Sequence, residues 1–564
     1  MINCRGLPSP FLSQRTPALA DDQTPATPEP PPESHSDAPP NSRTDGPGDD
    51  TRQPPRTAWR ILRGVGPGLI VAGSIVGSGE LIATTKTGAE AGFSFLWLIL
   101  IGCVVKVFAQ IELGRYTMIS GKTTLRALSE VPGPRIAGRG NWLVWYWLVM
   151  WVASISQQGG IVGGVGQALA ISFPISTQGQ AYNEVADAEQ LLTFDEFARQ
   201  ALGDQTTPDD EFVDQRRLEI EQAWQRYRDE PDYGDSEPID TTVWATLIAV
   251  VTSVILFFGR YGLIQSFSTV LVGSFTLLTV VNLFLLQGEV NYRVSLEEFW
   301  SGLSFGFPES EVEGGSAITT ALATFGIIGV GAAELVMYPY WCLEKGYAKF
   351  TGPNDGSPEW TARAKGWLRV MKTDAWGAML VYTFATVAFY LLGAAVLHRV
   401  GLNPEKSNMV RTLAVMFVPV FSDWAAALFL FGAIAVLYST YFVACASHAR
   451  VFSDALRVMG LIDPSEETRA VWIRWLSGIF PFVALLIFIK FPKPAQLVLL
   501  SGIAQGIMLP MLAAAALWFR YRRCVTELKP GRLWDVMLWT SGLAMLITGS
   551  WTVVAAVDGY FGAR

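Results

Sequence analysis

Apolar residues run in blocks of about 20 along most of the chain, the length a helix needs to cross a hydrocarbon core about 30 Å thick. The blocks lie near 66–88, 94–117, 141–173, 242–258, 261–286, 316–343, 373–397, 423–446, 471–490, 495–519 and 534–557. They predict an all-α, polytopic membrane protein with about eleven transmembrane helices. Two segments fall outside this rhythm. Residues 1–57 are rich in Pro, Ser, Asp and Thr and poor in aliphatics, which predicts a disordered cytoplasmic tail without the apolar stretch of a signal peptide. The transmembrane domain then spans 58–564. It is interrupted between the third and fourth helices by an acidic extracytoplasmic insertion, 174–241, in which "EFVDQRRLEIEQAWQRYRDE" has helical spacing.

Composition narrows the function classes. Half of the residues (50%) are hydrophobic and 16% are charged, which argues against a soluble enzyme. Five scattered cysteines and no CxxC pair argue against a disulfide framework or a zinc site. Three histidines, His35 in the tail and His398 and His448 near span ends, argue against a histidine-based centre. No phosphate loop, dinucleotide fingerprint or nucleic-acid surface is present, and no cofactor is expected.

Lys and Arg set the orientation. Arg56, Arg60 and Arg63 precede the first span; Lys122, Arg126, Arg135 and Arg139 follow the second; Arg260 lies between the fourth and fifth. Lys345, Lys349, Arg363, Lys365 and Arg369 follow the sixth, Arg450 and Arg457 the eighth, and Arg520, Arg522, Arg523, Lys529 and Arg532 the tenth. All fall on one side if the N-terminus is cytoplasmic and the C-terminus extracytoplasmic, in a cell membrane. The opposite side carries the acidic loops 174–241 and 287–315.

Two spans carry signs of interruption. The first reads "AGSIVGSGELIATTKTG", where Gly77, Ser78 and Gly79 invite the backbone to open and Glu80 follows at once. The sixth reads "ATFGIIGVGAAELVMYPYWCLEKGY", with Gly326, Gly329 and Gly331, then Glu334, then Pro339, which removes a donor and clashes with the preceding turn. Interrupted helices at matching places of two inverted halves point to a binding site at the bilayer midplane. Gly73 and Gly77 also fit simple close packing of helices.

At these residues the chain resembles a known family. "GPGLIVAGSIVGSGELIATTKTGAEAGFSFLWLILIG" looks like the first two helices of the NRAMP divalent-metal transporters, "GIIG…MYPYW" like their sixth, and "LSGIAQGIMLPMLAAAALW" like their tenth. The resemblance covers roughly 60–557. It implies a 5+5 inverted-repeat (LeuT-like) fold with helices 1 and 6 broken mid-membrane, and transport of Mn²⁺ or Fe²⁺ with protons. The departures are specific. The family's metal-binding Asp aligns with Gly77 and its Asn with Glu80. Its sixth-helix Met aligns with Met337 or with Tyr338, depending on whether methionines or prolines are matched. Tyr340 stands in place of the His after the proline, Gln157 and Gly160 stand near the proton-path acids, and Gly502 stands at the tenth-helix Gln, with Gln505 one turn on.

The expected metal site is therefore Gly77, Ser78, Glu80, Glu334, Met337 and Tyr338, with carboxylate and neutral oxygens suiting Mn²⁺, Mg²⁺ or similar ions. Glu80 is read as the replacement ligand or as a dipole cap of the second half-helix. Glu334 is read as a ligand or as a partner of Lys86 or Lys106. Lys106 is itself read as half of a structural pair or as a surrogate for a coupling ion. Asp374 is read as interfacial. The predicted function is a secondary active transporter that moves a divalent cation by alternating access, with altered proton coupling. The alternatives are a same-fold transporter of an organic solute such as an amino acid, and a non-transporting sensor or scaffold.

Overall fold

The computed structural model describes residues 50–136, 139–202, 210–234, 236–259, 261–308, 317–405, 408–421 and 424–562. Of the expected tail, residues 1–49 lie outside these, as does Arg260. Residues 50–57, placed in the tail by composition, run extended against the domain. The Arg52 N–H donates to the Phe350 carbonyl at 3.0 Å, the Arg52 carbonyl accepts from Trp367 Nε1 at 2.9 Å, and its guanidinium lies 4.4 Å over the Phe350 ring.

Among the described residues, ten helices are long and apolar enough to cross a membrane: Pro67–Ala91, Leu96–Ser120, Trp142–Ser172, Asp240–Phe258, Ala317–Lys345, Pro358–His398, Ala425–Val458, Glu466–Lys490, Pro494–Arg523 and Arg532–Val557. The predicted fifth span is the 25-residue helix Tyr261–Leu285. Burial sorts them. The most apolar window is 94% buried in the first span and 100% in the sixth, against 22% in the fourth and 33% in the last. The interrupted helices are therefore the centre of the bundle, where an unpaired backbone group can find a protein partner instead of lipid. The outer helices leave their apolar faces to the membrane.

Both interruptions are present. The first span is an α-helix, Pro67–Ile75, then a wider-wound turn, Ser78–Thr84, then Thr85–Ala91. The sixth is Ala317–Ile327, then Ala332–Lys345. Gly329 holds the sixth open with φ +56°, a left-handed conformation, and a Cβ there would lie 2.9 Å from the Cys103 Cα. Pro339 does not make the break, contrary to the sequence expectation. It lies inside the unbroken second half, where the Thr124 hydroxyl donates to the Val336 carbonyl at 2.8 Å in the same turn. A neighbour's hydroxyl is one of the means by which spanning helices tolerate proline.

The acidic insertion forms two helices, Thr177–Leu202 and Asp210–Asp229, that pack through Leu192, Val213 and Ile220. Arg411 ties the first of them to the domain through Asp187 and Asn183.

Candidate functional site

Where the first span opens, there is no room for a side chain. A Cβ on Gly77 would lie 2.0 Å from Thr440 Oγ1, and that hydroxyl donates to the Gly73 carbonyl at 3.0 Å. The eighth span thus fills the place from which a residue-77 carboxylate would reach. The neighbouring Ser78 Oγ accepts from Gln157 Nε2 at 2.7 Å. Gln157 Oε1 accepts from Ser501 Oγ at 3.0 Å and from Gln505 Nε2 at 2.9 Å. Gln505 Oε1 in turn accepts the Ala333 N–H at 2.9 Å, one of the free donors at the start of the sixth span's second half. Two amides from the third and tenth spans therefore join the two interruptions.

Below this chain lies a cavity of ≈ 10 Å³, lined by Ser74, Glu334, Met337, Thr440, His448 and Gln505 among others. That volume holds about one water-sized body. Glu334 stands in the first turn of Ala332–Lys345, where the helix dipole favours an anion. Its Oε1 accepts from Ser74 Oγ at 3.1 Å. His448 Nδ1 accepts from Trp151 Nε1 at 2.9 Å, and its Nε2 lies 3.4 Å from Gln158 Nε2. A carboxylate, an imidazole, a thioether and an amide therefore converge on one small space.

Of the six residues expected to form the site, Glu334 and Met337 line this cavity, and Ser78 reaches its edge through Gln157. The structure does not bring the other three in. Gly77 is closed off by Thr440. Tyr338 points the other way, donating to the Met371 carbonyl at 3.2 Å and to Asp374 Oδ2 at 3.1 Å, so Met337 is the inward residue of the pair. Glu80 is fully buried but elsewhere, its Oε1 accepting from Thr386 Oγ1 at 3.0 Å. Among the described residues, Glu80 Oε2 has no hydrogen-bond partner.

The lysines also differ from expectation. Lys86 pairs with Glu90 and Glu405, each at 2.8 Å, not with Glu334. Lys106, fully buried, donates to the carbonyls of Phe325 and Ile328 at 2.6 Å each. It is a cation seated on the negative end of the sixth span's first half. Asp374 is not interfacial but 2% exposed, and its carboxylate accepts the N–H groups of Gly66 and Gly68 at 2.7 and 2.6 Å. Helix starts have free donors, and this one begins inside the protein.

Sequence reasoning missed His448. The eighth span was expected to end at 446, whereas the helix continues through Val458 and carries His448 into the bundle. Gln158, beside it, was legible only as a polar residue in an apolar run.

Comparisons with known proteins agree with this architecture. The family model Nramp, natural resistance-associated macrophage protein-like, matches residues 236–555. The match begins before the fourth span, so the first three spans, including the first two helices quoted for the resemblance, lie outside it. Over 124 residues the chain is 30% identical to the divalent metal cation transporter MntH of Mycobacterium tuberculosis, covering 22% of this chain and 27% of that protein. The same identity and length hold for MntH of Mycobacterium bovis, of which 17% is covered. The chain thus aligns with about a quarter or less of these curated relatives. Among solved structures, a mutant of the Eremococcus coleocola manganese transporter shares the fold, with a TM-score of 0.58 and 14% identity over 91% of both chains. The chain belongs to the Nramp family, and is a multi-pass membrane protein of a transporter family rather than an enzyme.

Proposed function

We propose, from membership of the Nramp family, that this chain moves a divalent metal cation across the membrane by alternating access, the ion entering the cavity beneath the two interrupted helices. The carrying observation is the cavity itself. Glu334 supplies the negative oxygen, Met337 a soft thioether and Gln505 an amide oxygen, while His448, whose Nδ1 lone pair is taken by Trp151, lines the wall beside them. Such a mixed set suits Mn²⁺ or Fe²⁺ better than it suits Ca²⁺, which takes six to eight oxygens. In this conformation the space of ≈ 10 Å³ fits a stripped ion and not an amino acid, which disfavours an organic solute.

Glu334 is the charged ligand in this reading, and Glu80 supports the interruption behind it. Gln157 cannot carry a proton, because an amide does not change charge and both ends of this one are already bonded. The membrane potential then drives uptake, at about 2.3 kcal/mol per charge per 100 mV and twice that for a dication. The N-terminus is cytoplasmic and the C-terminus extracytoplasmic, which places the basic loops inside.

Proteoliposomes test this with Mn²⁺, Mg²⁺ and Ca²⁺ uptake and an internal pH dye, on wild type and Glu334→Gln. Saturable Mn²⁺ uptake that follows an imposed potential, is lost in the variant and leaves the dye unchanged supports the reading. Acidification in step with uptake overturns the potential-driven part. No divalent uptake by folded protein overturns the whole.

A further inference from the structure

On the face that carries the basic loops, a cavity of ≈ 680 Å³ opens between the second span, the seventh span and the segment before the eleventh. Lys365, Arg369, Lys372, Trp376 and Leu380 of the seventh span line it. They follow at steps of three or four residues and so share one face of the helix Pro358–Leu392. Along the axis that face changes from cationic to aromatic to aliphatic. Leu380 is 55% exposed, and Phe384, one turn further, 65%.

The charge here is not spent inside the protein. Arg115 at the back of the cavity is matched by Glu112 at 3.0 Å, and Lys372 lies 5.1 Å over the Trp534 ring. Lys365, Arg369 and, across the opening, Lys529 form no ion pair among the described residues, and Glu527 is the only carboxylate in the lining. Cations gathered this way repel one another unless an anion sits among them.

We propose that this cavity binds the headgroup of an anionic phospholipid, the phosphate between Lys365, Arg369 and Lys529 and the acyl chains along Trp376, Leu380 and Phe384. The apolar continuation decides between a lipid and a soluble anion. A free phosphate has no use for it, whereas a phospholipid needs a basic end at the interface and an apolar track descending from it. Basic pockets between spanning helices are a recognised form of lipid site.

The test uses the full chain, purified in detergent micelles supplemented with phosphatidylglycerol and phosphatidylcholine, with bound lipid read by native mass spectrometry. A Lys or Arg facing an anionic headgroup contributes about fivefold in affinity. The triple variant Lys365→Gln, Arg369→Gln, Lys529→Gln is expected to lose phosphatidylglycerol about a hundredfold. A control triple on the acidic insertion, Arg216→Gln, Arg217→Gln, Arg226→Gln, is expected to lose none. Lys529→Gln alone, in the segment between the tenth and eleventh spans, is expected to lose about fivefold and covers the case of a misfolded triple. Equal retention by wild type and variants overturns the proposal. So does displacement of the lipid by inorganic phosphate, which would make this a site for a soluble anion.

Discussion

At the interruption of the first span, side chains fill the space beside Gly77 and Ser78. Thr440 stands against Gly77, and Gln157 is bonded to Ser78. At the interruption of the sixth span the ends are capped, by Lys106 on one side and Gln505 on the other, but the carboxylate beyond them faces a cavity. Two halves built on one inverted plan have thus diverged. In the proposed reading, the sixth-span half holds the ion and the first-span half is a packed support. A break in a helix is therefore not by itself a site. What matters is whether neighbouring side chains have already taken the freed groups.

The sharpest way to break this comparison sets one carboxylate against the other. Glu334→Gln keeps shape and removes charge, and is expected to lower kcat/KM for Mn²⁺ uptake by a hundredfold or more, about 2.7 kcal/mol or above. Glu80→Gln is expected to leave KM within about twofold and to act on thermal stability. A collapse of uptake in Glu80→Gln with normal stability would restore the first interruption as the site.

Next in size is Lys106→Met, which leaves the Phe325 and Ile328 carbonyls without their donor in a buried place. A charge-assisted bond of this kind is worth about 1.5–3 kcal/mol, so a clear drop in unfolding temperature is expected in micelles. Stability equal to wild type would show that the lysine caps nothing. Gly77→Asp reinstates the family's usual acid, yet is expected to cost about 1–3 kcal/mol as overpacking against Thr440 and to bring no gain in uptake. Gly77→Asp with Thr440→Gly is expected to recover the lost stability, and a double variant no better than the single would refute the steric account. The smallest effect belongs to Met337→Leu. The volume is kept and the thioether lost, so discrimination of Mn²⁺ over Ca²⁺ is expected to weaken by about tenfold or less in competition uptake.

Much of the fold was legible because lipid imposes one rule on every span. A stretch must be long and apolar, and the periodic runs report this directly. The interruption at Gly77–Gly79 was legible because adjacent small residues stand directly before a carboxylate in an apolar run, although Gly73 and Gly77 alone also fit close packing of helices. Pro339 misled because two breakers share the sixth span, and only the tertiary contact of Gly329 with Cys103 decides between them. The site was half legible. Glu334 and Met337 stood out as residue types, but Glu80 looked equivalent until Thr386, 306 positions along the chain, was seen to claim it. His448 was hidden by a span boundary drawn too early, and the roles of Gln157 and Gln505 depend on partners no local pattern encodes.

Lys106 of the second span, seated on the carbonyl end of the sixth span's first half, also replaces what a free ion could do there. A diffusible cation bound to those carbonyls would come and go with its concentration outside, and the poise of the half-helix would follow the salt. A cation tethered by its own backbone is present at a fixed effective concentration, set by the length of its side chain and by nothing in solution. The resting position of that half-helix is thereby made deaf to the ionic composition around the cell.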